Sequence, residues 1–140
     1  MTSRVAELRE SLGAIAGRPY SQAQALAGDY YTRNDWLEVE QRELFGNQWV
    51  CVGRVEEIDK PGDFMACRVG GEPVLLAHGE DGVIRALSNV CRHRGTTLME
   101  GSGNSKSFIC PYHHWTYDNT GDLIAAPSIK ASDVFDPASC

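Results

Sequence analysis

The chain is short of positive charge: 13 Lys and Arg stand against 19 Asp and Glu, a formal net charge of −6 at pH 7. Nucleic acid and anionic membrane both demand a basic face, so neither is expected as the main partner. A small molecule or a soluble protein is the better match. Nowhere do eighteen apolar residues run together, and the opening "MTSRVAELRESLGAIAG" carries acids where a secretory signal needs an unbroken apolar stretch. A soluble, cytoplasmic protein is therefore expected. Cysteines are few and odd in number, at positions 51, 67, 91, 110 and 140. With no mark of secretion, an odd set argues against a disulfide framework and leaves thiols or ligands. There is no low-complexity run and no internal repeat. A length of 140 residues, 42% of them apolar, suffices for one globular domain with an extension.

The chain's patterning divides it in two. Residues 3–12 place Val5, Leu8 and Leu12 at helical spacing, with Gly13 as a stop, and "GRPYSQAQALAGDYYTR" reads as an irregular linker. "NDWLEVEQRELFG" gives Trp36, Leu37, Glu40, Leu44 and Phe45 a one-sided stripe, with Asn34 or Asp35 as cap and Gly46 as the end. From Gln48 the period changes to two. "QWVCVG", "DFMACRV", "PVLLAHG" and "VIRALSNV" read as strands, with hairpin signals at Gly70-Gly71 and Asp81-Gly82. "SFIC", "WTYD" and "LIAAP" follow. The expected fold is mainly β, an antiparallel sandwich or barrel carrying loops that hold a metal group, preceded by an N-terminal helical arm. The expected divisions are an arm and linker over 1–33 and the β domain over 34–140.

Two of the four histidines lie beside cysteines, in "CRHRGTTLMEGSGNSKSFICPYHHWTY". Cys91 and His93 are two apart, so on extended backbone they leave one face together. Cys110 and His113 need a turn between them, and Pro111 supplies a fixed φ for it. The sixteen residues between the pairs include Gly95, Gly101 and Gly103, suited to a loop that brings the second pair to face the first. Three readings are open to such donors: unconnected core residues, a zinc site, or a two-iron, two-sulfide cluster with thiolates on one iron and imidazoles on the other. Zinc fingers usually pair Cys with Cys and His with His, whereas each pair here is mixed, which favours the cluster.

"CRHRG" and "CPYHHWTYD" at this interval resemble the Rieske pattern Cys-x-His-x(15–17)-Cys-x-x-His. More narrowly, the chain resembles the Rieske domain of the large (α) subunit of ring-hydroxylating non-haem iron oxygenases. The likeness extends through "WLEVEQRELFGNQWVCVGRVEEIDKPGDF", "GEPVLLAHGEDGVIRALSNVCRHRG" and "WTYDNTGDLIAAP", roughly residues 30 to 130. It implies a Rieske-type [2Fe-2S] cluster on Cys91, His93, Cys110 and His113, with the histidine edge facing the electron's exit. It also implies a ferredoxin or flavin-dependent reductase as donor and a homotrimer in the intact protein. Respiratory Rieske proteins carry a further cysteine after each pair. Here Thr96 or a neighbour and Tyr112 stand at those places, so a low-potential cluster is expected.

An oxygenase of this kind also needs a mononuclear Fe(II) held by two histidines and a carboxylate. With His93 and His113 assigned, only His78 and His114 remain, so that iron is expected in a catalytic domain that this chain lacks. The sequence reads as cut before its domain is finished, "DVFDPASC" being followed in the family by further strands, and an unpaired strand edge is expected nearby. A free-standing Rieske ferredoxin is the rival as a carrier. A zinc-bound structural module is the rival outside electron transfer.

His114 is a competitor for His113, although the Cys-x-x-His spacing favours the latter. His78 reads as an exposed strand-end histidine. Trp115 and Tyr117 read as packing that shields the cluster, Trp36 and Trp49 as core, and Cys51 and Cys67 as buried free thiols. Arg92 and Arg94 either steer an acidic partner or merely offset the acidic surface. Cys140 carries no signal. "GGEP" and "GEDG" are hairpin turns, and neither precedes a helix as a phosphate loop must.

Overall fold

In the computed structural model of the chain, residues 3–127 are described. "DVFDPASC" and Cys140 lie outside them. Two compact units divide at residues 49 and 50.

The first unit is helical. Helix α1 spans Ser3–Ala16, α2 Asp29–Thr32 and α3 Asn34–Val39. The chain then winds on as a π-helical turn, Glu40–Phe45. Gly13 does not stop α1, which runs three residues further and ends at Gly17, whose N–H reaches the Gly13 carbonyl. An isolated glycine weakens a helix without breaking it. Neither Asn34 nor Asp35 caps α3. Arg33 occupies the cap without a side-chain bond, and the Asp35 carboxylate instead accepts two N–H bonds from Arg33 and one from the Trp36 amide. Of the expected stripe only Trp36 is buried, its ring 4.8 Å from that of Tyr30. Leu37 and Leu44 are about half exposed.

The second unit is antiparallel β. Strand β1 spans Asp63–Val69, β2 Glu72–His78, β3 Ile84–Ser88, β4 Ser102–Asn104, β5 Ser107–Ile109, β6 Thr116–Asp118 and β7 Leu123–Ala125. They form a four-stranded sheet in the order β3-β2-β1-β4 and a three-stranded sheet in the order β5-β6-β7, with no closed barrel among the described residues. Strand β7 lies at an edge of its sheet. The β1–β2 hairpin turns at Gly70 and Gly71, both at positive φ, with Val69 opposite Glu72. Asp81 Oδ1 accepts the Val83 N–H, and Gly82 takes the positive φ that turns β2 towards β3. Phe108 of β5 joins Phe64, Leu75 and Ala77 of the larger sheet in one core cluster, meeting Phe64 edge-on at 5.7 Å.

Three expectations fail here. "QWVCVG" is not a strand: Trp49 is fully exposed and Cys51 is exposed. Alternation sets which way side chains point, but a strand also needs a partner, and none pairs with this segment among the described residues. Cys67, on β1, is half-buried rather than buried. His78 does end β2, yet it is half-buried, its Nδ1 2.8 Å from the Ile58 carbonyl oxygen.

Candidate metal centre

Each Cys/His pair sits in a six-residue turn, one between β3 and β4, the other joining β5 to β6, and the two turns are built alike. In the first, the Cys91 amide donates to the Thr96 carbonyl at 2.8 Å and the Gly95 amide donates to the Cys91 carbonyl at 2.9 Å. In the second, the Cys110 amide donates to the Trp115 carbonyl at 2.8 Å and the His114 amide donates to the Cys110 carbonyl at 3.0 Å. The fifth residue of each turn is left-handed, Gly95 at φ 72° and His114 at φ 60°. A Val90–Thr97 bridge closes the base of the first turn, and the Ile109–Thr116 pair closes the second. Buried Asn89 holds the returning chain, its side-chain amide bonding both ways with the Met99 backbone at 2.8 and 3.0 Å.

The turns carry the four donors to one place. Cys91 and Cys110, each 1% exposed and neither in a disulfide, share a core cluster with Leu98, Trp115, Tyr117 and Leu123. Burial raises the Cys91 pKa. That effect is overcome by bonds from the Tyr117 hydroxyl, the His93 amide, the Cys110 thiol and the Arg94 amide, which together lower it. The Tyr117 hydroxyl lies 3.5 Å from Cys91 Sγ and accepts the Arg92 N–H at 3.1 Å. A thiol so placed is readied for the anionic form that ligates metal.

Beside the thiols stand the imidazoles. The His93 and His113 rings meet edge to face at 4.6 Å, and Nδ1 of each is buried with no hydrogen-bond partner. A buried imidazole nitrogen left bare carries a desolvation penalty of about 1–3 kcal/mol, so the site fits a group that would take up both lone pairs. Trp115, buried, stacks on His93 at 4.8 Å and 9°. Burial lowers the His113 pKa, and the positive charges of His93, Arg94 and His114 lower it further, favouring the neutral ring a metal requires.

Among the described residues, no three His, Cys, Asp or Glu side chains converge as the ligands of a single ion would. The four donors stand as two pairs, thiol with thiol and imidazole with imidazole. His114 is set apart from both, exposed to solvent on its left-handed residue. Arg92 and Arg94 also separate. The first lines a cavity of about 180 Å³ with Leu75, Leu87, Leu98, Phe108 and Tyr117, whereas the second lies close enough to His113 to act on its charge. The Tyr117–Cys91 contact and the packing of the Tyr112 ring on His113, at 3.8 Å, went unread in the sequence. Alternation placed Tyr117 on the Trp115 side, which is the signal that pointed towards the sulfur.

Comparison with known proteins matches residues 48–136 to the Rieske [2Fe-2S] domain, and the chain belongs to that family. It is 39% identical over 108 residues to the carnitine monooxygenase oxygenase subunit of Acinetobacter baumannii, covering 76% of this chain and 29% of that protein. It is 40% identical over 98 residues to the chlorobenzene dioxygenase subunit alpha of a Cupriavidus species, covering 69% and 22%. Among solved structures it resembles a quaternary ammonium Rieske monooxygenase studied for carnitine oxidation and inter-subunit electron transfer, with a TM-score of 0.76 at 35% identity, covering 84% of this chain and 32% of the other. Naphthalene 1,2-dioxygenase from a Rhodococcus species follows at a TM-score of 0.69 and 30% identity, covering 87% and 28%. The chain thus spans less than a third of these relatives' length, and no helix among the described residues is long and apolar enough to cross a membrane.

Proposed function

We propose that Cys91 and Cys110 hold one iron and His93 and His113 the other of a [2Fe-2S] cluster that relays single electrons within an oxygenase α subunit. The observation that carries this reading is the pair of bare, buried Nδ1 atoms set against each other beside a buried thiol pair. Zinc asks four ligands to meet at one point, whereas a two-iron cluster asks for two protein ligands on each metal, as these donors are grouped. When bound, such a cluster accepts one electron at a time, and neutral imidazoles in place of two thiolates raise its potential above that of an all-cysteine cluster.

The chain's own residues do the rest. Tyr117 bonds to the Cys91 sulfur, Trp115 covers one face of His93 and keeps water from it, and Asn89 pins the first turn. The imidazole edge is the path by which the electron crosses. The relay reading takes residues 34–140 as its domain and 1–33 as the arm, with the helical residues 34–49 standing in the first compact unit of the structure. In the whole protein a ferredoxin or flavin-dependent reductase would supply electrons, and a mononuclear iron site outside these residues would supply the oxygenase chemistry: hydroxylation, dihydroxylation or demethylation. The assembly is a cytoplasmic homotrimer.

Anaerobic incubation of the chain with iron and sulfide tests the reading. A red-brown protein with a paramagnetic reduced state is expected, lost in His113→Ala and kept in His114→Ala. A colourless protein that binds one divalent ion tightly would overturn it, and cluster loss in His114→Ala alone would overturn the choice of His113.

A further inference from the structure

We infer that the cavity between the two sheets binds a small carboxylic acid with an aliphatic tail, and that its Tyr117 wall couples this binding to the cluster. The cavity, of about 180 Å³, lies between the β2–β3 hairpin and the smaller sheet, and its lining is sorted by depth. Leu75, Leu98, Phe108 and Tyr117 are buried, whereas the two exposed lining residues, Ser88 and Arg92, are polar and mark the mouth. Protein interiors pack to crystal density, so a void of this size is large for so small a unit. An apolar cavity of about 150 Å³ takes up benzene, and this one therefore suits a tail of about six carbons.

The head group follows from Arg92. A guanidinium presents a planar fork of N–H donors that matches a carboxylate, with donors enough to serve more than one acceptor at once. Residues 84–99 and 107–117, which supply all of the lining but Leu75 and Gly121, contain no acid. The acids beside Gly121 are engaged within their own turn: Asp118 Oδ1 accepts the Thr120, Gly121 and Asp122 amides, and Asp122 Oδ2 accepts the Thr120 hydroxyl. An anionic head at the mouth and an apolar tail inside complement this lining. The coupling runs through Tyr117, whose hydroxyl lies 3.5 Å from Cys91 Sγ and accepts the Arg92 amide. An electron added to a cluster on Cys91 would repel an anion held at Arg92, so the acid binds the oxidised form more tightly and by linkage holds back reduction. The coupling rests on the relay reading, whereas the binding site does not.

Calorimetry of the cluster-loaded chain with straight-chain carboxylates from butyrate to decanoate tests the site. Affinity should rise about threefold for each added methylene, reach a dissociation constant of about 1 mM at hexanoate, and level off beyond about heptanoate as the tail outgrows the cavity. Acetate, hexanol and hexylammonium should each bind about tenfold more weakly than hexanoate. Arg92→Gln should weaken hexanoate about tenfold and leave hexanol unchanged, while Leu87→Phe, which fills the cavity, should remove both. In nuclear magnetic resonance spectra of the parent, hexanoate should shift the signals of Leu75 and Phe108. Dithionite-reduced protein should bind hexanoate about threefold more weakly than oxidised protein, and hexanol equally in both states. Equal affinity for hexanoate and hexylammonium, no loss in Arg92→Gln, or an affinity that keeps climbing to decanoate would overturn the site. So would the chain's own C-terminal segment seated in the cavity, seen as contacts to Leu75 and Phe108 that hexanoate does not displace. Should Leu87→Phe fail to fold, the length series in the parent decides. Equal hexanoate affinity in the two redox states would overturn the coupling. Failure of the relay reading is seen separately, as absence of the cluster's absorption, and leaves the binding series readable on the colourless chain.

Discussion

His114 and Gly95 hold the same place in two copies of one turn: each is fifth from its cysteine, donates its amide to that cysteine's carbonyl, and takes a positive φ. Only one of them is suited to the conformation. A side chain in the left-handed region costs about 1–2 kcal/mol, offset in part by the backbone entropy that glycine loses on folding. His114→Gly should therefore raise stability by about 0.5–1 kcal/mol, and Gly95→Ala should lower it by about 1 kcal/mol, both read from urea midpoints.

Tyr117→Phe removes a hydroxyl that touches Cys91 Sγ and accepts the Arg92 amide. A hydrogen bond to sulfur stabilises the more negative, reduced state. Loss of one bond of about 1 kcal/mol corresponds to a fall in potential of about 40 mV for a one-electron couple. Redox titration of the reconstituted variant should show that fall with the cluster's absorption retained. An unchanged midpoint would reduce Tyr117 to packing.

Phe108→Ala should be the most damaging single change outside the ligands. The ring is 1% exposed and joins the small sheet to the core of the large one. Truncating such a ring costs about 3–5 kcal/mol, which approaches the whole stability of a small domain. A collapsed or absent urea transition is expected, with Phe108→Leu intermediate.

The Asp81–Arg85 pair gives a pH signature. The Arg85 guanidinium bonds both Asp81 oxygens, at 2.9 and 2.6 Å, and with the Val83 amide holds the carboxyl at about 2. A carboxyl lowered on folding stabilises the native state above its unfolded pKa, near 3.8, and loses that contribution as pH falls towards 2. Thermal midpoints of the parent should exceed those of Asp81→Asn at pH 5 to 7, and the gap should close between about pH 4 and 2. A gap that persists at pH 2 would exclude the ion pair as its source.

What could be read in the sequence was what local chemistry decides. β1 matches "DFMACRV" residue for residue, and β2 and β3 fall within a residue or two of their expected bounds, because alternation was joined to glycine turns that fix register. Strand β4, "SGN", has no apolar residue to announce it and is a strand only because Asp63–Met65 pairs with it. The π turn at Glu40–Phe45 hid for a related reason: a wider winding presents nearly the same apolar stripe as an α-helix. Trp49 and Cys51 misled because alternation without a partner resembles a strand. At the candidate centre the two turns that carry Cys91, His93, Cys110 and His113 were legible from spacing, since each spacing is a property of one turn. The roles of Tyr112 and Tyr117 were not, since each depends on where the other turn arrives.

The bonds that close both turns run through the main chain, and the first turn is pinned besides by the Asn89 side chain and the Tyr117 hydroxyl, so the side chains at the turns' third and fourth positions take no part in those bonds. The scaffold is a mould indifferent to what it clasps. Exchanging imidazole for sulfur there, one position at a time, offers a way to vary the electronics of a bound cluster across a graded series while the casting around it stays fixed.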